Sequence, residues 1–208
     1  TASMVMPDGS TQPLATMNVR ATEYTVGSTG PQAMPAPLPP ASAYTYAVEL
    51  NVTLAAPAVR SRPGADIVYT RRLLDDPEYA QILAEIRQGI GDGVFAAQLH
   101  GMEHFMPAVV CDVAAREPVV RDWLLRGDQY SELLPDRLQS RWLDARQLPT
   151  TEHAEALVEA EVAAEVAIFR QLFNHAPAVV VPNTFAWTRA VERAWARHGL
   201  RYLVTCGR

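Results

Sequence analysis

Three short apolar runs limit what this chain can fold into. VFAAQL (94–99), AVVV (178–181) and RYLVTC (201–206) each stand behind a stretch of helical periodicity. Runs of this length, bounded by turn residues, read as buried strands rather than helices. Ahead of them, YTYAVELNVTL (44–54) alternates: Tyr44, Tyr46, Val48, Leu50, Val52 and Leu54 share one face, and Thr45, Ala47, Glu49, Asn51 and Thr53 the other. A period of two is a strand with one buried side. AAP (55–57) is expected to end it.

Helices fill the gaps between these strands. Asp76 is a capping residue and Pro77 fits a first turn. Tyr79, Ile82, Leu83, Ile86 and Ile90 then form an apolar stripe that Gly91 and Gly93 close. DVAAREPVVRDWLL (112–125) is helical with an interruption at Pro118, and residues 128–149 are mixed. The longest pattern is TTEHAEALVEAEVAAEVAIFRQLFNHA (150–176). There Leu157, Val158, Val162, Ile168, Leu172 and Phe173 face inward, and Glu152, Glu155 and Glu159 face water. TRAVERAWARHG (188–199) follows, with Trp187, Val191 and Trp195 on one side and Gly199 as its stop.

Strand, helix, strand, helices, strand, helix, strand is the signature of an α/β fold with parallel strands and helical crossovers. Ligands in such folds bind at the carboxyl ends of the strands. Two segments fall just past a strand end, HGMEH (100–104) and PNTFAW (182–187).

The first carries the chemistry. His100 and His104 stand four apart, so on a helical turn they point the same way. Imidazole suits zinc and related divalent metals, and two such ligands need at least one more. Glu103 lies beside them as a third ligand, a partner to an imidazole N–H, or a proton shuttle in catalysis. Asn51 and Asn183 are candidates to bind substrate by hydrogen bonds. His153, His175 and His198 belong to helices or their ends and read as surface or capping residues.

The same letters satisfy H-x-x-E-H of the inverzincin zinc peptidases. That pattern needs a continuous helix, whereas a strand-like run, Gly101 and Pro107 surround it here. Glu155, Glu159, Glu161 and Glu165 of the long helix would offer its distant carboxylate. No H-E-x-x-H, G-x-S-x-G, P-loop or G-x-G-x-x-G occurs.

Composition narrows the partners. The chain has 208 residues, half of them apolar, and a formal net charge of −5. With no basic stripe, nucleic acid is not an expected partner. No apolar run reaches the twenty or so residues of a membrane helix. No leader is visible and the first residue is Thr1, so the expectation is a cytoplasmic protein from a processed or excerpted chain. Cys111 and Cys206 read as two inert thiols. GSTGPQAMPAPLPPASA (27–43) marks residues 1–43 as an arm or linker ahead of a domain over 44–208.

LNVTLAAP (50–57), QLHGMEH (98–104) and VPNTFAWTRAVERAWARHGLRYLVT (181–205), in this order, resemble a divergent bacterial branch of the polysaccharide deacetylase-like proteins with the NodB-homology barrel. The likeness covers about residues 44–206. It implies a distorted (β/α) barrel and a divalent metal, usually zinc. It also implies hydrolysis of an amide, typically removal of an acetyl group from an N-acetylated sugar in a glycan or smaller molecule. The family's metal-binding histidines map to His100 and His104, and its groove-lining loop to Pro182 and Asn183. Val180 and Val181 stand where the family has an arginine.

The family also places two aspartates, a metal ligand and a general base, at the end of its first strand. None stands at a strand end here: Asp75 and Asp76 start a helix, and Asp8 lies in the arm. Glu103, or less favourably Glu49, is left to replace them. The early and late parts of the barrel are not recognisable in this chain, which raises a second expectation, a catalytically incomplete scaffold or binding protein of the same fold.

Overall fold

The computed structural model describes residues 3–5, 11–13, 48–60, 67–126 and 130–205. Within the arm, β1 (Ser3–Val5) pairs antiparallel with β2 (Thr11–Pro13). The start of the expected strand at residues 44–47 and Cys206 lie outside the described residues.

The rest is an α/β unit built on a four-stranded sheet. β3 (Val48–Val52) pairs in parallel with β6 (Phe95–Leu99), and β6 with β9 (Val179–Val180). β10 (Tyr202–Leu203) then pairs in parallel with β9. Each new strand is added on the same side of the last, so chain order and sheet order coincide. Right-handed crossovers in such a progression put every helix on one face. Accordingly α1 (Ala80–Gly91), α4 (Glu155–Phe173) and α5 (Arg189–Arg197) share one core with the sheet. Leu83, Val162, Phe169, Val191 and Trp195 meet Val52, Ala97, Leu99 and Val180 there. Among the described residues the sheet is open, with β3 and β10 at its edges; no closed barrel is formed.

The helices begin and stop where local chemistry requires. Asp76 Oδ1 accepts from the Glu78 amide at 3.0 Å, opening a 3-10 turn that runs into α1. Gly93 beyond α1 and Gly199 beyond α5 take positive φ, and Asn174 does so at the end of α4. α2 (Pro107–Ala114) and α3 (Pro118–Arg126) are separated at Pro118, which lacks the amide hydrogen that a continuous helix needs.

Three expectations are corrected. AAP does not end the β-structure: β4 (Ala55–Arg60) starts there and forms an antiparallel hairpin with β5 (Val68–Leu73). The long helix starts only at Glu155, because Thr151–Glu152 (β8) is taken by a pairing with Leu143–Asp144 (β7). His153, expected at the surface, is buried, with Nε2 3.2 Å from the Arg141 carbonyl. Of the other two, His175 is exposed and His198 meets Glu159 at 2.7 Å.

A second core lies beside the first. α2, α3 and the 3-10 turns at Ser131–Leu133 and Asp136–Leu138 enclose Phe105, Met106, Val110, Trp123 and Leu138. Met102 belongs to the first core and Phe105 and Met106 to the second. The segment after β6 therefore crosses the seam between the two.

Candidate functional site

His100 extends β6 by one residue. Its amide donates to the Val52 carbonyl at 3.1 Å, and the next strand end is tied in by Val181 N–H to the Leu99 carbonyl at 2.9 Å. The site thus stands at the carboxyl ends of β3, β6 and β9. Gly101 then takes φ +103°, a conformation that L side chains avoid, and the chain leaves the sheet without forming a helix before Pro107.

The helical turn that would align the two histidines is absent, and so is the continuous helix that the H-x-x-E-H arrangement demands. The rings are still neighbours. Their centroids are 4.7 Å apart, edge to face at 80°. The Gly101 reversal and the anchoring of Met102 and Phe105 in two cores bring them together.

His100 Nδ1 lies 2.6 Å from the Val181 carbonyl. An acceptor there requires Nδ1 to carry the proton, which leaves Nε2 with a free lone pair. This backbone partner is the usual way a ligating imidazole is oriented. Both rings are half-buried. Burial holds His100 below the ordinary histidine pKa, opposed by its bond to Val181. Burial also lowers His104, helped by the His100 charge and opposed by Glu132 on the exposed neighbouring turn. Burial thus favours, in both imidazoles, the uncharged form that binds metal.

Glu103 occupies a different environment from the one expected of a free base. It is 1% exposed and its oxygens are taken. Oε1 accepts from Arg71 Nε at 2.6 Å and from the Tyr69 hydroxyl at 2.9 Å, while Oε2 accepts from Arg141 Nη1 at 2.6 Å. Arg71 and Arg141 both reach on to Glu161. Burial, then the Glu103 charge, pushes the Tyr69 phenol far up, so it stays a donor. These partners lie 32 to 38 residues from Glu103 in the chain, out of reach of any local pattern.

Arg141 is fully buried, and beside it lies a third carboxyl, that of Glu165. Glu165 sits on α4 in line with Val158, Val162, Val166 and Phe169, a glutamate on the apolar face. That misplaced polarity was readable in the sequence. The exchange of Arg141, Arg71 and Tyr69 with Glu103 was not. Two guanidinium groups already balance Glu103 and Glu161. Glu165 is thus the surplus carboxyl, and burial raises it to about 7 against the pull of Arg141 and the Trp195 N–H bond.

Of the expected substrate-binding residues, Asn51 is exposed on edge strand β3, opposite Gln98 of β6. Glu49 is exposed on the same strand. Pro182 and Asn183 are buried in the turn after β9. Thr184 and Phe185 in that turn have φ of 52° and 51°. Such values are costly for residues with side chains. The Val181 carbonyl that orients His100 lies directly ahead of this turn.

Two neutral imidazoles fit two positions of a zinc-type coordination sphere. Among the described residues, no group of three or more His, Cys, Asp and Glu side chains is arranged to hold a metal ion. Cys111 is a free, half-buried thiol that burial pushes upward in pKa. No described helix is long and apolar enough to cross a membrane.

Fold and site together define an α/β protein whose parallel sheet presents paired imidazoles at its carboxyl edge, backed by a buried Arg–Glu network. Comparison with protein-family models, curated proteins and solved structures found no match for the chain.

Proposed function

We propose that this protein is a metal-dependent amide hydrolase of the polysaccharide deacetylase type, with His100 and His104 holding a divalent metal such as zinc. The reading takes the four parallel strands as an arc of a NodB-type (β/α) barrel. The observation that carries it is the pair of imidazole rings 4.7 Å apart, one oriented through Nδ1 by a backbone carbonyl at a strand's carboxyl end. When bound, such a metal supplies Lewis acidity and brings the pKa of its water toward neutrality. The chain's own residues do the positioning. Val181 holds the His100 ring, and the 182–187 turn and Asn51 border the place where an N-acyl sugar would lie. Glu103, held by three donors, acts here as an anchor for the histidine loop.

The spent Glu103 and the absence of a third ligand among the described residues favour a second reading, a binding protein of the same architecture. The two separate by experiment. Purified protein loaded with zinc and passed through gel filtration is expected to retain about one equivalent by elemental analysis, as a site with structural-quality affinity does. His100→Ala and His104→Ala are each expected to lose it, and stoichiometric metal in the double variant rejects the ligand assignment. Acetate release from an N-acetylated chito-oligosaccharide by the loaded protein supports the hydrolase. Metal retention without release, or loss of the metal from the wild type, supports the binding protein.

A further inference from the structure

Among the described residues, five buried side-chain atoms make no hydrogen bond within the protein: Arg141 Nε, Trp142 Nε1, Glu165 Oε2 and both amide atoms of Asn183. They are not scattered. Arg141 Nε and Glu165 Oε2 are 3.9 Å apart, too far to bond each other. The Trp142 ring packs edge-on against Trp195, whose N–H holds the other oxygen of Glu165 at 3.0 Å. Asn183 and Glu165 meet over Gly101: a Cβ placed there would lie 2.7 Å from Asn183 Oδ1 and 3.5 Å from Glu165 Oε2. The four polar atoms of Arg141, Glu165 and Asn183 thus gather about Gly101 beneath the histidine loop, where the glycine allows a close approach that a side chain would block, and the Trp142 ring stands beside them, its centroid 5.5 Å from the Arg141 guanidinium carbon.

An orphaned buried polar group is costly, and native proteins hold few of them. Their concentration on neighbouring side chains points to an occupant. Its chemistry follows from what faces it. Arg141, Trp142 and the Asn183 amide nitrogen donate, which repels a cation. Asn183 Oδ1 accepts, Glu165 Oε2 accepts when ionised and donates when it carries the proton, and the Glu103 and Glu161 charges stand close behind, which repels an anion. Only a small neutral molecule that both donates and accepts satisfies the set, and water is the smallest.

We propose that Gly101, Arg141, Trp142, Glu165 and Asn183 form an internal hydration site that binds long-lived water and pins the 182–187 turn, and with it the Val181 carbonyl that orients His100. The site requires no metal and no substrate, so it stands or falls apart from the hydrolase reading.

The test is water–protein ROE spectroscopy on the full-length, 15N-labelled protein, with water oxygen-17 relaxation dispersion alongside. The wild type is expected to show ROEs from water to the Asn183 side-chain NH2 and the Trp142 Nε1–H. Asn183→Leu, with the same number of side-chain heavy atoms but apolar and bulkier, is expected to reduce the number of long-lived waters and to broaden or shift the His100 Nδ1–H signal, leaving that of His198 unchanged. Gly101→Ala pushes a methyl group into the site at a strained φ and is expected to abolish the ROEs or the fold. Because that variant can fail to fold, the wild-type spectrum carries the decision. Absence of water ROEs at both Asn183 and Trp142 overturns the site, and an unchanged His100 signal in folded Asn183→Leu overturns its link to the histidine.

Discussion

Arg141→Ala is expected to lower the free energy of unfolding by about 3–5 kcal/mol, the cost of leaving a buried ion pair half broken. The guanidinium is fully buried and donates to Glu103 Oε2, to Glu161 and to the Phe105 carbonyl at 3.3 Å. Without it, Glu103 Oε2 has no donor and one carboxylate charge has no counter-charge. Arg193 gives the contrast. Its 2.6 Å pair with Glu155 joins two side chains that are more than half exposed, and its removal should cost far less, since water and salt screen such a pair. Urea unfolding of both variants at neutral pH makes the comparison. Arg141→Met combined with Glu103→Gln should recover part of the loss, since it removes both charges. A loss at Arg141 no larger than that at Arg193 would mean that water reaches the network in solution.

Glu165→Gln should make the protein more stable above neutral pH. The folded protein holds this carboxyl at about 7, against an ordinary 4.5, because burial outweighs Arg141 and the Trp195 N–H. Folding therefore favours the proton. The contribution is fully present below about pH 4.5, declines as pH rises toward 7, and is gone above it. The difference corresponds to about 3 kcal/mol as an order of magnitude. The groups facing Glu165 are Arg141, Glu161, Glu103, Trp195 and Asn183, and all remain in the variant.

Burial lowers His100, His104 and His153, so these residues act in the opposite sense and cost stability as pH falls. They are common to both proteins and cancel in the difference. Urea midpoints from pH 5 to 8 should show the variant gaining on the wild type through that interval. Parallel curves would show that Glu165 ionises like an exposed glutamate.

Much of the architecture is legible in the residues themselves. VFAAQL, AVVV and RYLVTC contain the three later parallel strands, and the stripe from Tyr79 to Ile90 follows the helix that packs on them. These are consequences of local periodicity, which one segment carries alone. The hairpin at Ala55–Leu73 escaped because Pro57 reads as a stop, yet it sits in a strand whose only partner within the hairpin is β5, an edge that tolerates proline. The meeting of His100 and His104 was expected from a helix and came about through a glycine reversal.

By itself, then, the sequence determined the strand and helix segments, their parallel succession and the presence of two histidines beyond a strand end, because each of these rests on neighbours within a turn or two. Only the tertiary structure decided what Glu103 and Glu165 are. Both look like carboxylates available for chemistry. One is neutralised by Arg71 and Arg141 and the other is stranded beside them, because burial and pairing are set by residues brought together from three elements. A carboxylate's role follows from its surroundings, and in a chain these surroundings exist only after folding.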